Sequence, residues 1–322
     1  MSIEEVLKKT KLSPTSKAIV RKAVEQNIEF STLKNNKCKL SNGKKKYVFT
    51  TFVCSAFNSK LAKRVTVQKE VTSRLLRSRG FNAPENMVFD NKDFERAWDW
   101  AKSILPVVIK PYNGTRGNTV FINISDYNSF KESFMNVGNK FGSVLVEKME
   151  KGTEYRFAYL KGNIIAVTKR KKANVIGDGV LTIKELIEQK NVLRSKRQNP
   201  LHKKIKINNE TLACLEEQGY GINDILNEGE VVIINQKMNI SSGAEAIDYT
   251  DKISQEVKDK VAKAAKSIKG LRVAGLDVLV KDNDVQIIEI NSDPNLLMHQ
   301  YPWEGKNRKV IEQLLDKMFH KL

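Results

Sequence analysis

The clearest hydrophobic pattern in the chain is a pair of apolar runs that flank a short polar turn near the carboxyl end. Residues 275–281 and 285–291 are rich in aliphatic and β-branched side chains, and residues 282–284 between them read Asp-Asn-Asp. Because Asp and Asn tolerate tight-turn backbone geometry, the pattern predicts two antiparallel strands joined as a hairpin. Both strands are expected to be buried, since apolar residues dominate the two runs.

Three oxygen-bearing residues interrupt this hairpin. Asp277 lies in the first run, Glu289 lies in the second, and Asn291 follows two residues later on the same face as Glu289. Pairing about the turn brings the two acids together, where an unpaired carboxylate costs on the order of several kcal/mol. Two acids and an amide oxygen predict a magnesium ion that takes its other ligands from water and phosphate. The alternative is that Lys or Arg side chains neutralise the acids on a hydrated strand face.

The rest of the chain predicts a mixture of helices and strands, and therefore an α+β protein. Amphipathic spacing predicts helices over residues 67–79, 90–104, 182–190, 255–268 and 306–321. Apolar runs predict strands over residues 47–53, 106–111, 120–124, 143–149, 155–160, 164–167 and 231–234. Residues 192–226 are polar and basic with little periodicity, which predicts a mobile insertion or a pair of short helices.

The net charge of the chain changes the expected partners. The 322 residues include 56 Lys and Arg and 37 Asp and Glu, which gives a formal net charge of +19. Such a surplus favours a polyanionic partner, whether a nucleic acid, an acidic peptide or a nucleotide, without choosing among them. The basic runs lack the interleaved aromatic residues of a base-stacking surface, so nucleic acid is the less favoured partner.

Composition also bears on the cellular location. No apolar run approaches the roughly 18 residues of a membrane span, and the amino terminus lacks the basic and apolar regions of a signal peptide. A cytoplasmic location without membrane association is therefore expected. Cys38, Cys54 and Cys214 are scattered without a CxxC pair, so they predict neither a disulfide framework nor a zinc site.

Two loops carry residues suited to anions. A predicted strand ends at a lysine, and a loop with an asparagine and two glycines follows it: Lys110, Asn113, Gly114 and Gly117. A glycine turn between strands can lay backbone N–H groups over phosphate oxygens, although hairpins need glycines for other reasons as well. The loop is not a Walker A motif, because no helix opens with Gly-Lys-Ser/Thr. Residues 169–172 are four consecutive cations ahead of a Gly-Asp-Gly turn, which also suits a loop that meets anions.

Taken in order, these features resemble the ATP-grasp ligases. The shared set is a lysine early in a helix, a strand-ending lysine, a glycine loop, a Val-Glu-Lys-Met strand end, a glutamate and the oxygen trio: Lys69, Lys110, 113–117, 146–149, Glu154, Asp277, Glu289 and Asn291. The trio matches the Asp…Glu-x-Asn metal site of that family. The resemblance extends from about residue 45 to the end of the sequence. The sequence segments 173–179, 239–243, 246–248 and 289–291 are most similar to the ATP-grasp portions of cyanophycin synthetase and of bifunctional glutathione synthetase.

The resemblance implies an ATP-grasp fold, in which two α+β subdomains grip ATP between them beside a small amino-terminal subdomain. The implied boundaries are 1–64 for the amino-terminal subdomain, 65–148 for the lid subdomain and 149–322 for the carboxyl-terminal subdomain with the metal site. The implied cofactors are ATP and two magnesium ions, with manganese as an alternative metal. A homo-oligomer is compatible with the resemblance.

The resemblance also implies roles for individual residues. Nucleotide-binding positions would be Lys69 and Lys110 at the phosphates, Asn113, Gly114 and Gly117 in the lid over them, Glu147, Lys148 and Met149 at the adenine, and Glu154 at the ribose. Asp277, Glu289 and Asn291 would hold the metal. The catalytic positions would be Arg170, Lys237 and Asn239, with Arg170 meeting the transferred phosphoryl group or the acidic substrate. Relatives carry an arginine where this chain has Asn235, so either Lys237 takes the cationic role or the substrate differs.

The implied activity is ATP-dependent formation of an amide or peptide bond between a carboxylate and an amine, through an acyl phosphate. The expected substrates are amino acids, peptides or other small molecules. The two relatives have a second catalytic half that does not fit in 322 residues, which predicts a single active site. Two alternatives stay open: a basic nucleic-acid-binding protein with a vestigial nucleotide fold, and a ligase that modifies a peptide or protein acceptor.

Overall fold

The computed structural model of the protein describes residues 2–112, 119–197 and 199–320. The chain divides into two compact units. The first unit comprises Met1–Val167, Lys252–Leu296 and Lys309–Leu322, and the second comprises Thr168–Asp251 and Leu297–Arg308. The two segments of the second unit thus interrupt the sequence of the first unit at two places.

The secondary structure alternates short strands and helices. The strands are β1 (Glu29–Thr32), β2 (Cys38–Ser41), β3 (Lys46–Phe49), β4 (Asn86–Asp90), β5 (Val107–Pro111), β6 (Phe121–Ile124), β7 (Ser143–Lys148), β8 (Thr153–Leu160), β9 (Asn163–Lys171), β10 (Ala173–Ile176), β11 (Val231–Asn235), β12 (Glu245–Asp248), β13 (Val273–Lys281) and β14 (Asp284–Asn291). The helices are α1 (Ile3–Lys8), α2 (Pro14–Glu25), α3 (Val53–Phe57), α4 (Lys60–Val67), α5 (Lys69–Ser78), α6 (Phe94–Ala101), α7 (Tyr127–Phe141), α8 (Ile183–Lys196), α9 (Asn209–Glu216), α10 (Gln255–Lys266), α11 (Leu297–Gln300) and α12 (Val310–Leu315). A 3₁₀ turn covers Ile240–Ser242, and a π-helical turn covers Asp316–His320.

The predicted hairpin is present as β13 and β14 in the first unit. Its antiparallel register pairs Asp277 with Glu289 and Gly275 with Asn291. β8 pairs along the other side of β13, and the first-unit part of β9 lies beyond β8, so the strand order is β9-β8-β13-β14. Asp282 in the turn has a φ of 55°, a left-handed conformation that Asp tolerates better than most residues. Asp277 therefore lies on a central strand, whereas Glu289 lies on β14, the edge strand of this sheet, which is less buried than the sequence predicts.

A second sheet of the first unit has the order β4-β7-β5-β6, and all of its pairings are antiparallel. Helices α6 and α7 cover it through an aromatic core. In this core Phe130 and Phe134 stack with ring centroids 5.8 Å apart, and Phe89 is buried beside them. The core holds β5 and β7 next to each other, and these strands carry Lys110 and Glu147.

A third sheet, with the order β1-β2-β3, belongs to the amino-terminal part of the first unit. Asn58, just after α3, connects this part to the sheet that contains the hairpin. Its buried side-chain amide donates to the carbonyl oxygens of Val273 (2.8 Å) and Ser292 (3.0 Å). Its Oδ1 accepts from the backbone N–H groups of Arg272 (2.7 Å) and Val273 (3.0 Å). One side chain thus fixes both the start of β13 and the segment that follows β14.

The second unit contains a two-stranded sheet, β10-β11, covered by α8 and α9. Its apolar core includes Val175, Ile187 and Ile234. β12 pairs antiparallel with the second-unit part of β9, from Thr168 to Lys171. The basic run 169–172 was predicted as a loop, and this is wrong for residues 169–171, because β9 continues to Lys171 and these residues pair with β12.

Some predicted helix and strand boundaries differ from the structure at positions where a side chain forms a hydrogen bond with the backbone. The helix predicted over 67–79 is interrupted at Gln68, where Thr72 Oγ1 donates to the Val65 carbonyl (2.7 Å) and ends α4. The strand predicted over 47–53 ends at Phe49, because Ser16 Oγ accepts from the Val53 N–H (3.0 Å) and starts α3. Neither interaction is visible in a local hydrophobic pattern.

The polar segment 192–226 proved to be helical in part. α8 runs past its predicted end to Lys196, and α9 covers Asn209–Glu216. The helix predicted over 306–321 is shorter, since α12 starts at Val310 and gives way to the π-helical turn at Asp316. In the part of the chain that the structure describes, no helix combines the length and apolar character of a membrane span.

A buried charge cluster stabilises the second unit. Glu245 is 1% exposed, and its Oε1 lies 2.7 Å from Lys190 Nζ and 3.3 Å from Arg194 Nη2. Burial lowers the pKa of both Lys190 and Arg194, and Glu245 opposes that shift by stabilising their charged forms. The cluster joins α8 to β12, so its charges are part of the fold rather than of an open site.

We expect Glu245→Gln to destabilise the protein, because two largely buried cations would lose the carboxylate that they share. The free energy of unfolding, measured by urea denaturation, should fall by about 3 kcal/mol. Glu210→Gln is the matched control, since Glu210 pairs with Lys237 (2.8 Å) on the surface and its loss should cost under about 1 kcal/mol. Equal costs for the two variants would contradict this interpretation of the cluster.

His202 gives the second unit a pH-dependent stability. The side chain is buried, and its Nε2 accepts from the Ala246 N–H (3.1 Å). Burial, aided by Arg194 and Arg197, lowers its pKa to about 4. Below the unfolded pKa of about 6.5 the unfolded chain binds a proton that the folded chain does not, so this contribution to stability declines as pH falls toward 4.

We therefore expect His202 to contribute a loss of about 2 kcal/mol in the free energy of unfolding between pH 7.5 and pH 5. His202→Gln should show a correspondingly shallower pH dependence in urea denaturation. His320→Gln, at an exposed position, serves as the control and should keep the wild-type slope. Parallel slopes in the wild type and His202→Gln would show that His202 does not carry the effect.

Candidate functional site

The oxygen trio predicted as a metal site lies on one face of the β13-β14 hairpin. Asp277 and Glu289 are cross-strand partners, and Asn291 lies two residues beyond Glu289, opposite Gly275. The Asp277 and Glu289 side chains are 17% and 36% exposed, so solvent or a ligand can reach both carboxylates. The structure brings these three predicted residues together.

Two cations stand beside the two acids. Arg156 on β8 is the cross-strand partner of Asp277, and its Nη1 lies 2.7 Å from Asp277 Oδ2. Lys69, the first residue of α5, has its Nζ 3.5 Å from Glu289 Oε2. Each acid thus has a cationic neighbour, which is what the alternative interpretation of the trio expects. The two contacts orient the carboxylates without enclosing them.

Arg156 occupies a space that a glycine leaves open. The arginine is 8% exposed, and a Cβ atom at Gly275 would lie 2.7 Å from Arg156 Nε and 2.9 Å from Pro294 Cβ. Real Cβ atoms do not approach other atoms so closely, so the guanidinium depends on the absence of a side chain at this position. Sequence reasoning did not assign Arg156 to the metal site. The available signal was an arginine and a glycine inside apolar strands, where neither is common.

Asn291 is oriented by the segment that follows it. Its Oδ1 accepts from the Asp293 N–H at 2.8 Å, which points the amide oxygen toward the chain and leaves its second lone pair available. Burial raises the pKa of Asp293 to about 6, although Lys63 and the Ser55 N–H oppose the shift. The amide of the trio is therefore held by backbone geometry.

The donor set fits magnesium as a partial coordination shell. Carboxylate and amide oxygens are hard ligands, and magnesium usually takes few of them from protein and completes its octahedron with water and phosphate. Across residues 2–112, 119–197 and 199–320, no group of three or more His, Cys, Asp and Glu side chains is arranged to hold a metal. Two acids and an amide therefore suit an ion shared with a phosphate ligand rather than a closed structural site.

A second predicted pair lies on the sheet β4-β7-β5-β6. Lys110 Nζ is 2.8 Å from Glu147 Oε1, and both side chains are at most 10% exposed. Asn86 donates to Glu147 Oε2 (3.2 Å) and to Ser73 Oγ (3.1 Å), which connects the pair to α5. The ammonium of Lys110 keeps donors beyond the one that Glu147 receives.

The remaining described nucleotide candidates lie at the end of β7, just after it, and on β8. The backbone N–H groups of Lys148 and Met149 donate to the carbonyls of Glu85 (2.8 Å) and Pro106 (2.9 Å), and Glu154 on β8 pairs with Leu279 on β13. Asn113, Gly114 and Gly117, the predicted lid residues, lie outside the described residues. The roles assigned to these positions stay predictions.

The three predicted catalytic residues belong to the second unit. Arg170 on β9 is the cross-strand partner of Ala246 on β12 and is partly buried. Lys237 Nζ lies 2.8 Å from both carboxylate oxygens of Glu210. The Asn239 carbonyl accepts from Ser242 at the 3₁₀ turn (2.9 Å). Lys237 is thus engaged in an exposed ion pair that sequence reasoning did not foresee.

Comparisons with known proteins bear on the family of the chain. The glutathione biosynthesis bifunctional protein GshAB of Clostridium perfringens is 30% identical over 327 residues, which span 96% of this chain and 41% of that protein. Cyanophycin synthetase of Crocosphaera subtropica is 30% identical over 331 residues, 98% of this chain and 38% of that protein. A crystal structure of a bifunctional glutathione synthetase from Pasteurella multocida matches 97% of this chain and 44% of its own, with a TM-score of 0.72 and 26% identity.

The chain is a member of the ATP-grasp family. The ATP-grasp fold and the likeness to GshAB and cyanophycin synthetase, both expected from the sequence, are confirmed. No protein-family profile matches the chain. The chain spans about two fifths of the length of the curated relatives that it matches. The ATP-grasp likeness thus concerns a portion of each relative, and the activity of the whole relative does not transfer directly to this chain.

We expect Gly275→Ala to displace Arg156 and to destabilise the ATP-grasp sheet, because its methyl group would overlap the guanidinium. The free energy of unfolding should fall by about 1–3 kcal/mol in urea denaturation. Combining it with Arg156→Ala should cost less than the sum of the single variants, since the second change removes one of the overlapping groups. Additive costs would contradict the proposed fit between the two residues.

Proposed function

We propose that the chain is an ATP-dependent carboxylate–amine ligase, which forms an amide or peptide bond through an acyl phosphate and releases ADP and phosphate. The observation that carries this proposal is the pairing of Asp277 with Glu289 on one sheet face, beside Asn291 and within reach of Lys69. Such a set matches a nucleotide's metal-bound phosphates better than it matches a structural metal. The names of the ATP-grasp relatives, synthetases of glutathione and cyanophycin, support amino-acid or peptide substrates.

In this proposal the first unit binds the nucleotide. Lys69 and Lys110 donate to phosphate oxygens, and Glu147 holds the Lys110 ammonium in place while its remaining donors face the phosphates. The strand end at Glu147, Lys148 and Met149 lines the adenine, and Glu154 accepts from the ribose hydroxyls. Asn113, Gly114 and Gly117 cover the phosphates with backbone N–H groups.

Asp277, Glu289 and Asn291 would hold the divalent metal. When bound, magnesium would neutralise negative charge at the transferred phosphoryl group. The site would hold two such ions, and manganese could replace magnesium. Arg156 orients the Asp277 carboxylate through its 2.7 Å contact. Lys69 orients the Glu289 carboxylate through a 3.5 Å contact, and its ammonium would also donate to a phosphate oxygen of the bound nucleotide.

The chemistry follows from the poor reactivity of a carboxylate. An amine cannot displace oxide from it, so a carboxylate oxygen first attacks the γ-phosphorus of ATP, the bond to ADP breaks and an acyl phosphate forms. The amine then attacks the acyl carbon, the bond to phosphate breaks and the amine loses a proton. Arg170, Lys237 and Asn239 would stabilise the negative charge that develops during these steps. Lys237 would have to exchange Glu210 for the substrate.

We expect Asp277→Asn with Glu289→Gln to reduce ADP formation by more than about 100-fold, because the isosteric changes remove both carboxylate ligands. The assay measures ADP release across pairs of amino acids and small acids, and mass spectrometry identifies the product. The matched control is Asp282→Asn with Asp284→Asn, which removes two exposed acids from the turn of the same hairpin. Wild-type turnover in the first double variant would exclude the proposed mechanism.

A further inference from the structure

The amino-terminal part of the first unit contains the longest stretch of the sequence without an acidic residue. Residues 30–69 include ten Lys and Arg and no Asp or Glu. Six of the cations lie on the sheet β1-β2-β3 or in its two connecting loops: Lys34, Lys37, Lys39, Lys44, Lys45 and Lys46. Within the described chain, none of these six forms an ion pair with a carboxylate. The proposed ligase chemistry uses none of them.

The edge strand β3 has backbone groups that no neighbouring strand pairs. Hydrogen-bonded and non-hydrogen-bonded residue pairs alternate along antiparallel strands. Because the Asn42 N–H donates to the Lys45 carbonyl (3.2 Å), the next pair, which contains Lys46, is non-hydrogen-bonded, and so is the pair that contains Val48. The N–H and C=O groups of Lys46 and Val48 therefore point away from β2. Among the described residues, no other group forms a hydrogen bond with them.

The same two residues are accessible, whereas the rings of β3 are not. Lys46 is exposed, and Val48 is 46% exposed. Tyr47 packs edge-to-face against rings on the inner side of the sheet, and Phe49 is buried. Phe52, which is 44% exposed, follows the strand, but a base-stacking surface presents several successive rings. The edge thus offers strand-spaced backbone groups rather than a platform for bases.

Cations lie at both ends of this edge. Residues 44–46, which form the end of the turn and the first residue of β3, are three consecutive lysines. Lys37 and Lys63 line one surface depression together with Val48, near the other end of the strand. A second copy of β3 would place like charges against these lysines, which disfavours pairing between copies of the chain. A strand with acidic side chains would instead form favourable cross-strand pairs.

We propose that the outer edge of β3 is a docking surface for an acidic polypeptide segment, which joins the sheet as a fourth strand. Main-chain hydrogen bonds to Lys46 and Val48 provide the pairing, and the surrounding lysines select acidic side chains. A nucleic acid lacks alternating N–H and C=O groups at strand spacing, so the free edge favours a polypeptide. The inference goes beyond the proposed ligase function and does not depend on it, because this surface contains no residue assigned to the nucleotide or the metal.

The direct test is fluorescence anisotropy of a labelled octapeptide of alternating glutamate and threonine, titrated with the full chain in the absence of nucleotide. Glutamates opposite Lys46 and Val48 direct their N–H groups to β3, so N-methylation of the glutamates should weaken binding at least about tenfold. Replacing glutamate by glutamine should weaken binding by a similar factor. An oligothymidylate of the same net charge should bind at least about tenfold more weakly than the peptide.

Charge variants of the protein test the role of the lysines. The combination of Lys44→Gln, Lys45→Gln and Lys46→Gln should weaken peptide binding at least about tenfold. The matched control changes the net charge equally at three exposed lysines elsewhere in the first unit and should bind the peptide like the wild type: Lys92→Gln, Lys131→Gln and Lys140→Gln.

Val48→Pro tests the strand pairing from the side of the protein. Proline is tolerated on an edge strand where its nitrogen faces outward, and it removes the N–H that would donate to the peptide. Binding should weaken at least about fivefold, with folding checked by urea denaturation; the N-methylated peptide tests the same hydrogen bonds on the unaltered protein.

Equal binding of the N-methylated and unmodified peptides would overturn strand addition, and equal effects of the two triple variants would overturn selection by the lysines. Tighter binding of oligothymidylate than of the peptide would overturn the choice of a polypeptide partner. The ADP assay separates these failures from failure of the ligase function, because peptide binding is measured without nucleotide. Peptide binding as expected, with no ADP released from any substrate pair, would leave the docking surface in place and exclude the ligase.

Discussion

Two carboxylates on one face of a paired hairpin repel each other, and the arrangement around them exists to offset that repulsion. The register of β13 and β14 forces Asp277 opposite Glu289. Arg156 and Lys69, which come from a neighbouring strand and from the start of α5, supply one positive charge to each acid. Both acids stay partly exposed, so a divalent ion can join an already arranged set without large reorganisation.

Exposure separates the charged groups that shape the fold from those that can meet a ligand. Glu245 and Arg194 are at most 2% exposed, and the ammonium of Lys190, whose side chain is 15% exposed, lies 2.7 Å from Glu245 Oε1, so the three charges are engaged with one another. The Asp277 and Glu289 carboxylates have similar partners but remain accessible. Lys110 and Glu147 are intermediate, since they are nearly buried yet carry unused donor capacity. Ion pairing alone would not distinguish these three cases.

The sequence was sufficient for the hairpin because its signals are local. The two apolar runs and the polar turn predict that the strands pair, whereas a bulge between Asp277 and Val278 shifts the register by one residue and sets Asp277 opposite Glu289. The family resemblance added the fold and the order of the candidate residues. Contacts between distant segments were not predictable, such as Ser16 with Val53, Thr72 with Val65, and Arg156 above Gly275. In each of them, the partner is chosen by three-dimensional packing rather than by neighbours along the chain.

Asn58 sets a limit on how the chain can be shortened for study. Its amide group is the hydrogen-bond partner of backbone atoms in Arg272, Val273 and Ser292. A fragment that begins after residue 58 would leave those backbone atoms, at the start of β13 and just beyond Asn291, without their hydrogen-bond partner. The amino-terminal segment should therefore be retained in any minimal version of the domain, even one intended only for work on nucleotide binding.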